Sequence, residues 1–246
     1  MLGTALRFTF GTNALVLYRP DLPDELVDLV NQIRAQGLRA FIVDDIDQAA
    51  AYSLSSYFCF RPDRTFNLEY SSLVRPRDYM PQRIVHSTHT FTIYEALPYS
   101  TVSLREKFSI VDVGGNDFFF VKGFQDREVA GPLTYRWTKN ESYIKIPMPK
   151  LSGEAFLSTN MSGYRPPSLP SPVVRVSIGG VTYEVVTSRS LKTYRFKIPE
   201  ELWTRKFLEI EIRSETFVPK QAKMGSSDSR NLGVLVDEVS IETGSR

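Results

Sequence analysis

The chain of 246 residues holds a single cysteine, Cys59, and two histidines, His86 and His89. One cysteine excludes any disulfide within the chain. Cys59 sits between aromatics in the run YFCF, which favours a buried, inert thiol over a reactive nucleophile. The histidines lie three apart in IVHSTHTF, where Thr and Ile predict a strand. Positions i and i+3 of a strand face opposite sides, so a shared metal ion is not expected there. No apolar run reaches the roughly 18 residues of a membrane helix. The opening MLGTALRFTFGTNALVLY lacks the basic start and long apolar core of a secretion signal. Work outside the cytoplasm would thus need a longer membrane precursor or another export signal. Charge of one sign is also missing: 30 basic and 28 acidic residues leave +2, with no field to attract nucleic acid and no acidic tail. Catalytic signatures are absent too. Val113-Gly114-Gly115-Asn116 has neither the lysine nor the helix of a phosphate loop, and there is no serine nucleophile elbow.

What the sequence does have is apolar and aromatic content, 42% and 12%, with 15 prolines. That is enough for one large or two small cores. The first part reads as α/β. Strand-like runs at 14–18 and 40–43 flank an apolar helical pattern of Leu26, Val27, Leu29, Val30 and Ile33, which Asp21 opens and Gly37 stops. A second helix is expected at about 48–57. This spacing predicts a βαβ unit with parallel strands. From 58 to 98 the pattern loosens. Arg61-Pro62-Asp63-Arg64 and Arg75-Pro76-Arg77-Asp78 read as turns, and 88–96 as a strand. Beyond about 105 short alternating runs recur between Gly, Pro, Asn and Ser, among them VVRVSI, TYRFKI, FLEIEI and VDEVSI, and Gly179-Gly180 marks a hairpin. Many short strands without intervening helices predict an antiparallel sandwich or barrel.

Three groups of polar residues merit chemistry. Asp44, Asp45 and Asp47 follow the second strand, where α/β folds place ligands, although an aspartate there also caps the next helix. The stretch 123–147 places Arg127, Glu128, Arg136 and Trp137 around turns. An indole face beside an arginine fork and a carboxylate suits a sugar ring and its hydroxyls. The same residues also fit a structural role, with Trp137 in the core and Arg136 paired to Glu128, and sequence alone leaves both open. Tyr164 and Arg165 in a further turn join the binding candidates.

These runs carry a resemblance. Asp112-Val113-Gly114, Gly123-Phe124, Arg127-Glu128, Arg136-Trp137-Thr138, Arg165-Pro166 and Leu232-Gly233-Val234 with Asp237 occur in order. Over about 108–242 the chain resembles the C-terminal extracytoplasmic jelly-roll module of bacterial GT-C, protein O-mannosyltransferase-like membrane glycosyltransferases. It is also similar to galactose-binding-like carbohydrate-binding modules. The resemblance implies an accessory domain, because those enzymes keep their catalytic carboxylates in a membrane part that this chain lacks. Many modules of the latter kind hold a structural calcium near the chain ends, for which Asp112, Asp237 and Glu238 are candidate oxygen donors. Neighbours on a strand face opposite sides, so at most one of Asp237 and Glu238 points inward, and Asp112 with Asp237 is the pair expected if a calcium is bound.

The expectation is therefore an α+β protein of two domains. Residues 1–104 form a small α/β (βαβ) domain, and 105–246 a jelly-roll β-sandwich. The expected function is non-catalytic and extracytoplasmic: an accessory or carbohydrate-binding part of a cell-envelope glycosylation system. Its partners would be a glycan or glycolipid and a membrane glycosyltransferase. The binding residues expected are Arg127, Glu128, Arg136, Trp137, Tyr164 and Arg165. Two rivals are a glycosyltransferase or glycoside hydrolase acting between the domains, and a structural envelope subunit.

Overall fold

The computed structural model describes residues 6–10, 13–17, 23–43, 48–74, 83–98, 109–115, 117–151, 153–222 and 225–243. The chain divides into two compact units, Met1–Ala50 with Tyr57–Val102, and Ala51–Ser56 with Ser103–Arg246. No described helix is long and apolar enough to cross a membrane.

The first unit contains β1 (Leu6–Phe10), β2 (Asn13–Leu17), α1 (Pro23–Ala35), β3 (Phe41–Val43), the start of α2 (Gln48–Leu54), β4 (Phe58–Val74) and β5 (Arg83–Pro98). Helix α1 ends where expected, with the Gly37 and Leu38 N–H groups bonded to the carbonyls of Arg34 and Ile33. The expected parallel strand pair does not form among the described residues. Strand β2 pairs antiparallel with β1, and β3 pairs antiparallel with β5 in the order β3-β5-β4. The loosened region is in fact a long antiparallel hairpin of β4 and β5. Pro62 lies in strand rather than in a turn, and the register shifts between Pro62 and Arg64. A bulge is where a strand tolerates a residue with no N–H. In the middle strand Glu95 is 4% exposed. Arg39 grips both its oxygens, at 2.8 and 3.0 Å, and Arg61 adds a third bond. Hydrogen bonds from Arg39, strengthened by Arg61, outweigh burial and hold the Glu95 carboxyl down at about 2. Arg75-Pro76-Arg77-Asp78 and Asp44, Asp45 and Asp47 lie outside the described residues.

The second unit is all antiparallel: β6 (Ile110–Asp112), β7 (Val121–Phe124), β8 (Glu128–Ala130), β9 (Leu133–Pro147), β10 (Ala155–Ser162), β11 (Val173–Ile178), β12 (Val181–Val186), β13 (Lys192–Lys197), β14 (Phe207–Ser214) and β15 (Leu235–Thr243). One sheet runs β12-β11-β14-β9, with β7 on the far side of β9. The other joins β13, β10 and β15, with β6 and the start of β9 beside β15. Alternation explains the layers. In β11 and β14 every second residue, Val174, Val176, Ile178, Leu208, Ile210 and Ile212, is buried. They share one apolar cluster with Leu157 and Met161 of β10 and with Val236, Val239 and Ile241 of β15. Two inner faces thus close a sandwich core, and the alternate residues form two outer faces. Strand β9 serves both sheets, pairing through Arg136 and Trp137 with β15 and through 141–147 with β14.

The turns agree with this plan. Gly179 and Gly180 join β11 to β12 with φ of 56° and 93°, the left-handed pair that a two-residue hairpin requires. A Cβ on Gly179 would also strike the Leu202 side chain at 2.3 Å, so this turn seats on the 3-10 segment Glu200–Leu202.

Candidate functional site

The six residues expected to bind do not form an open platform. Trp137 is 6% exposed and packs with Phe217 and Leu232, backed by Tyr135, Leu169, Ala222 and Leu235. Its ring meets Tyr135 and Phe217 edge-on, at centroid distances of 6.4 and 6.2 Å. Arg165, 4% exposed, lies over the Phe217 ring at 5.6 Å and donates to the Glu215 carbonyl. Its Nε has no partner among the described residues. At the other end of this stack the Tyr135 hydroxyl donates to Glu128 at 3.0 Å, and Arg230 donates to the same carboxylate at 2.6 Å. Glu128, Trp137 and Arg165 are therefore joined, through Tyr135 and Phe217, as one packed stack. Tyr164 and Arg127 are exposed beside that arrangement.

Arg136 points elsewhere. Its guanidinium bonds both oxygens of Asp117, at 2.6 and 3.0 Å, and the Gln125 carbonyl at 3.2 Å. The structural partner is thus Asp117 and not Glu128. Asp117, 1% exposed, also accepts the Gly114 N–H at 2.8 Å. Gly114 has φ 88°, and a Cβ there would meet the Tyr135 backbone nitrogen at 2.6 Å. The Asp-Val-Gly and Arg-Trp-Thr runs so prominent in the sequence are tied together by a buried ion pair.

The calcium expectation falls on Asp112 and Asp237. The pairing of β10 with β15 slips between Asn160 and Met161, opposite Glu238 and Val236, which leaves Asp237 as the extra residue of a bulge. Asp237 is pushed up by burial and by the Asp112 charge, against a hydrogen bond from Asn160. Glu238 is pushed up by burial and then by Asp237 and Asp112. Thr134 donates to Asp112 at 2.9 Å. Among the described residues no group of three His, Cys, Asp or Glu side chains is arranged to hold a metal ion.

An open concavity lies instead on the outer face of the five-stranded sheet. A groove of about 420 Å³ is lined by Tyr143 of β9, Ser177 of β11, Thr182 of β12, and Phe207, Glu209 and Glu211 of β14, with Gly179, Gly180, Leu202, Arg205 and Leu208 at its floor and ends. The sheet itself puts these groups together. Glu211 is in register with Tyr143 on one side and Ser177 on the other, and Ser177 with Thr182. Several polar atoms already have protein partners. The Tyr52 hydroxyl donates to Glu209 at 2.6 Å, Arg213 donates to Glu211, and the Tyr143 hydroxyl donates to Glu141. Burial, with the Glu209 bond second, pushes the Tyr52 phenol far up, and the bond to Glu141 raises that of Tyr143.

Segment 51–56 belongs to this unit through Lys145. That side chain donates to the Tyr52 carbonyl at 3.1 Å and to Ser56 Oγ at 2.6 Å, and it lies over the Tyr52 ring at 4.2 Å. The Tyr52 carbonyl is in the last turn of α2, where carbonyls lack helical partners, so the buried lysine caps a helix end. Burial pushes the Lys145 ammonium down. Lys122 lies over Tyr143 and Tyr52, at 4.5 and 5.4 Å.

No protein-family model matches the chain, and no curated protein matches it. Among solved structures it is similar to a family GH115 4-O-methyl-α-glucuronidase, BtGH115A, at 12% identity and TM-score 0.35, covering 51% of this chain and 17% of that one. The chain thus spans about a sixth of that enzyme. It is also similar to the C-terminal CBM6 of LamC from Zobellia galactanivorans, at 9% identity and TM-score 0.34, covering 55% of this chain and 99% of that one. A third is the xylan-binding module CBM15, at 8% identity and TM-score 0.35, covering 56% and 97%. Likenesses this distant fix neither a ligand nor a site.

Proposed function

We propose that the second unit is a non-catalytic carbohydrate-binding module and that the sheet-face groove is its glycan site. The observation that carries this reading is the composition of the groove. Tyr143 and Phe207 offer ring faces for sugar C–H groups, and Glu209, Glu211, Ser177 and Thr182 offer oxygens for hydroxyls. All but Tyr143 stand on β11, β12 and β14, and the inner faces of β11 and β14 bury Val174, Val176, Ile178, Leu208, Ile210 and Ile212, so the surface is rigid before a ligand arrives. An extracytoplasmic setting, and service to a membrane glycosyltransferase in envelope glycosylation, are supported by the ordered sequence motifs alone. Arg127 and Tyr164, both exposed, are candidates for a second contact with a long glycan or glycolipid.

Affinity should be weak, with Kd on the order of 0.1–1 mM, because water competes for each hydroxyl. Calorimetric titration of cell-envelope and plant-type oligosaccharides tests the reading. Binding should be lost at least tenfold in Phe207→Ala and Tyr143→Ala, both still folded. A protein that binds no glycan, or binds one unchanged in both variants, would sink it.

A further inference from the structure

The glycan site as read above has an internal charge pattern that selects among glycans. Its two carboxylates already have partners within the protein. Glu211 is bonded by Arg213, which also reaches Glu141 at 3.2 Å. Glu209 accepts the Tyr52 hydroxyl at 2.6 Å and lies close enough to the buried Lys145 to stabilise its charge. The neighbouring Arg175 and Glu184 on the same face are bonded to each other at 2.6 Å. Arg205 is different. It lines the groove, is exposed, and among the described residues its guanidinium has no hydrogen bond or ion pair, the residue's one bond being from its backbone N–H to the Leu202 carbonyl.

We propose that Arg205 is the anion-reading residue of the groove and that the preferred ligand is an acidic glycan. The group read is a uronate carboxylate or a sulfate ester, presented where the sugar chain passes the 3-10 segment. A guanidinium carries five N–H donors in a planar fork that matches either oxyanion in bidentate fashion. The neutral part of the ligand uses the rings and hydroxyls of the groove. A single exposed charge pair should add a modest preference, read chiefly as selectivity and salt dependence.

This inference rests on the groove being a glycan site, and the test separates the two claims. The whole chain is titrated with matched oligosaccharides of one linkage, neutral, uronic and sulfated. Parent protein should bind at least one acidic member 3- to 10-fold more tightly than the neutral one, and the gap should shrink in 0.5 M salt. Arg205→Gln should erase the preference and leave neutral binding intact, whereas Phe207→Ala should weaken all members. Equal binding of neutral and acidic members, or a preference that survives Arg205→Gln, overturns the acidic-glycan inference and leaves the site in place. Binding of every member untouched by Phe207→Ala removes the site itself. The uronic and sulfated arms decide which oxyanion is read.

Discussion

Two aromatic regions of the sandwich contain nearly the same residue types and do opposite things. The stack at its end joins Tyr135, Trp137 and Phe217 to Arg165, Glu128 and Arg230, and the groove on its face joins Tyr143 and Phe207 to Arg205, Glu209 and Glu211. In the stack the rings meet each other edge-on, and Glu128 is bonded by both Tyr135 and Arg230. Little surface is left for a ligand. In the groove Tyr143 and Phe207 stand on neighbouring strands of one sheet, Lys122 lies over the Tyr143 ring, and among the described residues the Arg205 guanidinium has no partner. Carboxylates and hydroxyls have protein partners in both regions, so what distinguishes the candidate binding surface from the packed one is its half-buried rings and its exposed Arg205.

Mutations that break the stack should act on stability first. Trp137→Ala is expected to cost about 3–5 kcal/mol, the range for removing a buried Trp. A denaturant melt checks it, and a loss below about 1 kcal/mol would mean that the ring is not core. Next comes the pair that holds Arg136. Asp117→Ala leaves a largely buried guanidinium unpaired and should cost roughly 3 kcal/mol. Thermal unfolding reads this loss, and rescue by the second change Arg136→Met would confirm that the pair, not the site, is at stake. The smallest effect belongs to the rim. Arg230→Gln removes a half-exposed pair with Glu128 and Asp228, and should shift stability by less than about 1 kcal/mol.

The sandwich was legible because its strands alternate. The runs VVRVSI and FLEIEI put valine, leucine and isoleucine on one face, and the structure buries those same residues. Gly179-Gly180 marked its own hairpin for the same local reason. The first unit was harder. A strand of three residues, Phe41–Val43, carries no sign of its partner, and its pairing with β5 depends on contacts about fifty positions away. The residues of the site are hidden in the sequence for a related reason. Arg136 and Trp137 are neighbours in sequence, but on a strand they face opposite ways, one toward Asp117 and the other toward Phe217. Phe207, Glu209 and Glu211 could be assigned to the wet face of their strand, yet nothing local showed that Tyr143, Ser177 and Thr182 would line up beside them. The register across four strands did that.

The contrast between closed stack and open groove is tested most directly by one paired titration. Trp137→Phe keeps an aromatic in the stack, while the double variant Tyr143→Ala/Phe207→Ala strips the groove. Both are titrated with a glycan that the parent protein binds, with thermal melts run on the same samples. The account predicts that Trp137→Phe melts earlier and binds as the parent does, and that the groove variant melts within a few degrees of the parent and no longer binds. Lost binding in Trp137→Phe with binding retained in the groove variant would contradict it.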